Sequence, residues 1–535
     1  MTRTQELVMM ITFLVLGCAL TMAETAALEH AHHYECTHTR YPSLCDETLK
    51  ELMSSGNDKN VDIILALVNK TISETNLPRS YFASFETQDN AQQDKSSSSV
   101  GGYCQELMDM SMKRLDQSME ALSKPTRNKE DIQTWLSASL TFQQTCNDFA
   151  RSQTSTGVAT AVVDTISKKM DYLSALASNS LALVNQITAT TTTTTTTKRK
   201  EKESKEEFPE WISSKARKLL QGAAPIEANA VVAQDGSGNY KTISEAIAAA
   251  TGGRFVIYVK AGTYKEKIRT SKNGITLIGA GKYSTVIVGS ESVKGGASLP
   301  DTATFTIMGD GFIAKDIGFH NNAGPQGEQA VALYIASDRS VLFRCSIAGY
   351  QDTIYAHSLR QFYRECDIYG TIDFIFGNAA AVFQTCNIML RRPLHGGSNA
   401  VLANGRTDPG QNTGFSLHKC AITPSSDLSP VKHSVKSYLG RPWKEYSRAV
   451  VIGCTIDDAI AQQGWVEWPG YGSSVLRTLY FGEYGNSGPG AGTARRVQWP
   501  GFHVMGNVEA SKFTVGNFIA GSSWIPSSVG FISGL

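Results

Sequence analysis

The chain has 535 residues, 41% of them hydrophobic, and a formal net charge of +1. That length is too great for one ordinary domain and points to two or three, and so even a charge gives no sign of a nucleic-acid partner. The ten cysteines form no CxxC pair and do not alternate with histidines at zinc spacing, no GxSxG, HExxH or Walker loop is present, and no cofactor or metal is called for.

In chain order, Arg3, the apolar run Leu7 to Leu20 and the small residues ending near Ala23 read as a secretory signal peptide, residues 1–23. Its removal would leave an exported protein without a membrane anchor. Residues 24–186 have a helical pattern: Met108, Met112, Leu115, Met119 and Leu122 recur at steps of four and three, one apolar stripe suited to the core of a four-helix bundle. A second amphipathic run spans Asp131 to Phe149. Cys36 with Cys45 and Cys104 with Cys146 are plausible disulfides in an oxidising compartment, and Asn69 in NKT is a glycosylation sequon. Residues 187–221 are a low-complexity linker, almost pure threonine from Thr188 to Thr197 and mixed charge from Lys198 to Glu207. The linker ends in Arg217, Lys218, Leu219, Leu220, a basic site open to a processing protease.

From 222 to 535 the chain changes to short β-branched runs broken by Gly and Asn, such as FVIYVKAGTY from Phe255, GITLIGAG from Gly274 and TFTIMGDGFIAKDIGF from Thr304. This part carries 27 Lys and Arg against 22 Asp and Glu, a +5 balance that only weakly favours an acidic polymer. Cys-x-Ile recurs at Cys345, Cys366, Cys386, Cys420 and Cys454, and Ile317 extends the register with Lys315 in the cysteine's place. Cys345, Cys366, Cys386 and Cys420 either bridge neighbouring coils or stack as plain core. Steps of 20 to 34 residues fit parallel coils with side loops better than hairpins, so the expected fold is an all-β right-handed parallel β-helix.

Asp352 in GYQDTIY and Asp373 in GTIDFIFGN lie 21 positions apart. If one period is one coil, they stack at about 4.8 Å, and two carboxyls that close cannot both ionise freely. One then serves as an acid and the other as a nucleophile or base. Gln329 and Gln351 supply neutral hydrogen-bond donors nearby. Arg441 in GRPWKEY is a permanent cation that, if it contacts Asp373, would hold that residue charged while Asp352 keeps its proton.

These motifs, with AQDGSGNYKTI from Ala233, GTYKEKI from Gly262, QAVAL from Gln329, GRTDPGQNTG from Gly405 and LGRPW from Leu439, resemble the plant pectin methylesterases (pectinesterases) over Val231 to Trp468. CTHTRYPSLC from Cys36 and DIQTWLSASLTFQQTC from Asp131 resemble the pectin methylesterase inhibitor family. The resemblance implies an extracellular cell-wall enzyme with an inhibitor-like pro-region, acting on methylated homogalacturonan. Its partners would be that polymer, its own pro-region and a processing protease. It implies Asp373 as nucleophile, Asp352 as acid/base, Gln351 as donor to the tetrahedral intermediate, Gln329 as a substrate-binding amide, Arg441 as the residue orienting the nucleophile, and Trp443 as a stacking aromatic. Tyr355, Phe376 and Trp468 would line the sugar cleft, and Thr304 is a further binding candidate.

Two positions depart from the family pattern: Glu328, where a basic or neutral residue is usual, and Tyr334, where arginine is common. The competing readings are another β-helical pectin enzyme and a binding protein. A lyase would want clustered acids for calcium, and an inverting hydrolase more widely spaced carboxyls. A binding protein would act mainly through its helical region.

Overall fold

The computed structural model describes residues 35–54, 62–86, 99–153, 160–187, 227–470 and 472–535. The expected signal peptide, the threonine and charged linker and the RKLL site lie outside them. The chain forms two compact units, one helical and one built of strands.

In the first unit, four helices pack as a bundle: α1 (Ile63–Thr75), α2 (Val100–Leu122), α3 (Lys129–Ser152) and α4 (Thr160–Gln186). The ends of α3 follow from its sequence. Asn128 caps its first turn by accepting from the Asp131 amide at 3.1 Å, Glu130 and Asp131 complement the positive end of the helix dipole, and Arg151 the negative end. The methionine stripe is core, with Met108, Leu115 and Leu122 buried and Met112 and Met119 packed beside them. Both expected disulfides are present, with Cα separations of 5.6 Å for Cys36–Cys45 and 4.9 Å for Cys104–Cys146. The second closes a 42-residue span, for which loop entropy alone predicts roughly 4 kcal/mol of stabilisation. Asn69 lies exposed on α1.

The second unit is a parallel β-helix. Its strands line up in three sheets of eleven, eight and seven strands, here the first, second and third, and every ladder is parallel. Each coil visits the first, second and third sheets in turn. The period seen in the sequence is this coil. In the second sheet Phe319, Ile347, Ile368, Ile388, Ile422 and Ile456 stand one above another, all fully buried. Side chains two apart on a strand share a face, so the cysteine and the isoleucine of each Cys-x-Ile both point into the core. Burying each isoleucine contributes about 2–3 kcal/mol, less the entropy of ordering it.

One expectation needs correction, and one open alternative is resolved. Lys315 does not continue the cysteine column. Gly318 pairs with Ser346 and Phe319 with Ile347, which sets Cys345 over Ile317, while Lys315 pairs with Phe343. Nor are the coil cysteines bridged: Cys345, Cys366, Cys386, Cys420 and Cys454 are free and buried. Stacked residues send their Cβ atoms out in parallel, so these atoms stay about one strand spacing apart, beyond the roughly 3.8 Å a disulfide requires. Contacts such as the Cys345 amide to Cys366 Sγ at 3.4 Å and the Cys420 amide to Cys454 Sγ at 3.3 Å fill the column instead.

The β unit also holds a short helix absent from the strand pattern, α5 (Ile243–Ala248). A reciprocal capping box of Thr242 and Glu245 starts it, and Ile243, Ala246 and Ile247 join the β-helix core.

In six successive coils the corner between the first and second sheets is turned by one left-handed residue. Asp316, Arg344, Glu365, Thr385 and Lys419 have φ of 54°, 53°, 53°, 51° and 54°, and Gly453 has 60°. Only the last is a glycine, and Thr385 is β-branched, the type that tolerates this region worst. Thr385→Asn is expected to stabilise the fold by roughly 1 kcal/mol, because asparagine enters the left-handed region more readily. A melting temperature equal to or below that of the parent chain would refute the strain argument.

Candidate active site

The third sheet carries Asp373, and Asp352 lies just before the third-sheet strand Ile354–Ala356. Ile354 pairs with Ile375 and Tyr355 with Phe376, so Asp352 falls in register with Asp373, and the Asp352 amide donates to the Ile372 carbonyl at 3.2 Å. Both residues are left-handed, with φ of 60° and 53°. Asp373 lies in a bulge, since the ladder to the next coil pairs Ile372 with Ala400 but Ile375 with Leu402. A bulge re-aims a side chain at the cost of a ladder bond, and strain of this kind gathers where a side chain must be presented. Gly370 makes room for it, because a Cβ there would lie 2.1 Å from that of Phe374.

Arg441 reaches Asp373 from the loop after the strand Ser437–Gly440. Its Nε donates to Oδ1 at 2.8 Å and its Nη2 to Oδ2 at 2.5 Å. This fork is the strong, geometry-specific form of the carboxylate pair. Behind it the Trp468 ring lies 4.0 Å from the guanidinium carbon. Trp468 is therefore a platform for the cation, a role its place in the sequence did not reveal.

Both carboxyls are almost wholly buried. Burial first, and the neighbouring Asp373 charge second, push Asp352 well above the usual carboxyl range, against a smaller opposing pull from Arg441. Burial also raises Asp373, but the Arg441 hydrogen bonds and charge work against it. The fork thus favours the charge on Asp373 and leaves the shared proton on Asp352.

An aromatic column runs beside the pair. Tyr334 stacks on Tyr355 at 4.7 Å, Tyr355 on Phe376 at 4.4 Å, and Phe376 meets Trp443 edge-on at 5.9 Å. Tyr355 and Phe376 are only 4% and 3% exposed, so their edges alone reach the surface, whereas Trp443 and Trp468 are half-buried. Tyr334 extends this column by one coil. Its hydroxyl shares a hydrogen bond of 2.9 Å with His357 Nδ1, and burial holds that histidine neutral by lowering its pKa to about 3.

Gln329 and Gln351 meet through a backbone bridge one coil apart. Gln329 Oε1 is buried with no hydrogen-bond partner. Thr304 directly precedes the third-sheet strand Phe305–Ile307, two coils from the strand that follows Asp352, and its buried hydroxyl donates to the His320 carbonyl at 3.0 Å. Glu328 is exposed and paired with Lys294 at 3.3 Å, which tempers its negative charge.

Comparison with known proteins decides the family. The pectinesterase family model matches residues 229–522, and the plant invertase/pectin methylesterase inhibitor model matches residues 32–183. The chain belongs to the pectinesterase family. It is 49% identical to probable pectinesterase/pectinesterase inhibitor 54 of Arabidopsis thaliana, over 91% of this chain and 90% of that protein. It is also 49% identical to pectinesterase 2 of Citrus sinensis, over 81% of each. Among solved structures it is similar to the pectin methylesterase from carrot, at 49% identity and a TM-score of 0.57, over 58% of this chain and all of that one. This pectinesterase therefore carries an inhibitor-family region ahead of its β-helix, as the sequence motifs implied.

Two outcomes follow from the geometry. A Cβ on Gly405 would lie 2.7 Å from Trp443 Cε3, so Gly405→Ala must displace the indole from Phe376. The KM for methylated pectin is expected to rise several-fold with a smaller change in kcat, and an unchanged KM would show that Trp443 does not hold the polymer. The Asp352 carboxyl binds its proton more tightly folded than unfolded. Its stabilising contribution is full below the ordinary value of 3.8 and is lost as pH rises through the raised folded value. Asp352→Asn should therefore melt above the parent chain at neutral pH and lose that advantage below the ordinary carboxyl range. A gain that persists in acid would contradict the assignment.

Proposed function

We propose that this pectinesterase hydrolyses the methyl esters of polygalacturonate through an aspartate nucleophile. The observation that carries the reading is the Arg441 fork on Asp373, with the more proton-retentive Asp352 one coil away.

In this mechanism Asp373, ionised and aimed by Arg441, attacks the ester carbonyl, and the amide of Gln351 donates to the oxygen that becomes negative. Gln329 binds the substrate close by. The tetrahedral intermediate collapses by breaking the bond to the methoxy oxygen, which takes the Asp352 proton and leaves as methanol. The galacturonate acyl group is now an anhydride with Asp373. Asp352, now a carboxylate, removes a proton from water, and the resulting hydroxide attacks the sugar's carbonyl carbon. Asp373 is released as a carboxylate, Asp352 is reprotonated, and the product is acidic pectin. Trp443 and the edges of Tyr355 and Phe376 offer apolar surface to the sugar rings. The reading as a lyase lacks support from the residues, since no group of three or more metal-ligating side chains occurs among the described residues. Stacking at one strand spacing leaves the aspartates closer than the roughly 6.5–9.5 Å of an inverting hydrolase.

The domain plan belongs to the same proposal: signal peptide 1–23, inhibitor-like pro-region 24–186, linker 187–221 cut at 217–220, and catalytic unit 222–535. The signal-like N-terminus, the disulfides and the exposed Asn69 sequon support export to the cell wall. No described helix is long and apolar enough to cross a membrane.

Asp373→Asn is expected to abolish methanol release from methylated pectin, by roughly 10³-fold or more, since it removes the nucleophile itself. Activity near the wild-type level would refute the nucleophile assignment. A chain made uncleavable by Arg217→Ser and Lys218→Ser should have lower specific activity than the processed enzyme. Equal activity of the two forms would dispose of self-inhibition by the pro-region.

A further inference from the structure

Arg391 follows the second-sheet strand Asn387–Leu390, on the coil after the one that bears Asp373. Its own amide donates to the Gly370 carbonyl at 2.8 Å, on the Asp373 coil. Its side chain crosses that coil and ends on the one before. Nη1 donates to the Gly349 carbonyl at 3.0 Å, Nη2 donates to the Tyr350 hydroxyl at 2.6 Å, and the guanidinium carbon lies 3.7 Å from the centre of the Tyr350 ring. One residue thus ties three successive coils together. The two residues after its anchor are Gln351 and Asp352.

That segment has need of a tie. Residues 349–353 join the second-sheet strand Ser346–Ala348 to the third-sheet strand Ile354–Ala356 and lie outside both. Asp352 is held in the left-handed region, and a single misplaced turn would move both the amide and the acid. The neighbouring coil gives backbone support through the Thr371 amide to the Tyr350 carbonyl at 2.9 Å, and Thr353 Oγ1 donates to the Tyr369 carbonyl at 3.0 Å. Arg391 adds a planar contact from the far side. Its nearest acidic neighbour, Asp427, is 4.0 Å from Nε, and that carboxylate also accepts from the Arg392 amide and from Ser425, so its ion pair with Arg391 is a weak one. The better hydrogen bonds of the guanidinium go to the active-site segment.

We infer that Arg391 is a positioning residue for de-esterification, setting where Gln351 and Asp352 stand relative to Asp373. Its side chain acts through residues 349 and 350 rather than on the substrate. A lysine could not replace it, because an ammonium has neither the fork that serves Gly349 and Tyr350 together nor a flat face for the ring. The inference rests on the activity proposed above.

The test uses the full chain as it accumulates on expression, with Arg391→Ala, Arg391→Lys and Tyr350→Phe compared by methanol release and by hydrogen exchange. In Arg391→Ala, kcat should fall by about 10- to 100-fold, the scale of a misplacement near 1 Å, with KM within about twofold. Amide exchange in 349–353 should rise while that of the flanking strands stays as in the parent. Arg391→Lys should recover little of the kcat, and Tyr350→Phe, which keeps the ring, should lose less than either. Should the alanine variant fail to fold, the lysine and phenylalanine variants carry the test. A kcat within twofold of the parent in Arg391→Lys, a loss confined to KM, or a lowered kcat with unchanged exchange at 349–353 would each overturn the inference. A parent enzyme that releases no methanol even after cleavage at 217–220 would overturn the activity and this inference with it.

Discussion

Every feature of the β unit depends on parallel coils stacked in register, each strand bonded to the same strand of the next coil. This constraint turns a distance along the chain into a position in space. Twenty-one residues carry Leu333 to Ile354 and Ile354 to Ile375, so any residue type repeated at that interval becomes a column. Isoleucines become a core ladder, aromatics become the stack Tyr334, Tyr355, Phe376, and two aspartates become a pair. The stack also explains why the cysteines stay reduced although they are neighbours, since parallel Cβ vectors do not converge.

The active-site segments depart from that regularity in a consistent way. Asp352 and Asp373 are both left-handed, and Asp373 is bulged out of the ladder. The surrounding structure supports this: the Arg441 fork backed by Trp468, the space left by Gly370, and the Arg391 strap on the preceding segment. Two arginines hold the two halves of the pair, and their tasks differ. Arg441 contacts Asp373 directly and opposes the upward pull of burial on its carboxyl. Arg391 touches neither aspartate and acts through backbone and ring.

Much of this was legible in the chain. The Cys-x-Ile period exposed the coil length because core positions repeat, and the methionine stripe exposed the bundle helix for the same reason at a different period. Other features were hidden where a local pattern has two spatial solutions. Lys315-x-Ile317 looks like Cys-x-Ile, yet one unbroken register pairs Lys315 with Phe343 and sets Cys345 over Ile317, so the look-alike sits two residues early on its coil. The hydrogen bond of the Thr304 hydroxyl to the His320 carbonyl, 16 residues on, is likewise invisible in the chain. Trp468 and Arg391 carry no motif of their own, and only their partners, 27 and 41 residues away at Arg441 and Tyr350, give them meaning.

The sequence by itself determined the two regimes of the chain, the coil period, the family and the two aspartates, because each rests on residue type and spacing alone. The tertiary structure decided which aspartate the guanidinium grips, since that depends on where a side chain 68 residues away comes to rest. It also decided that the coil cysteines are packing, that Trp468 serves Arg441, and that Arg391 spans three coils. Those are contacts between segments distant in the chain, and their energies depend on distance and burial that no spacing encodes.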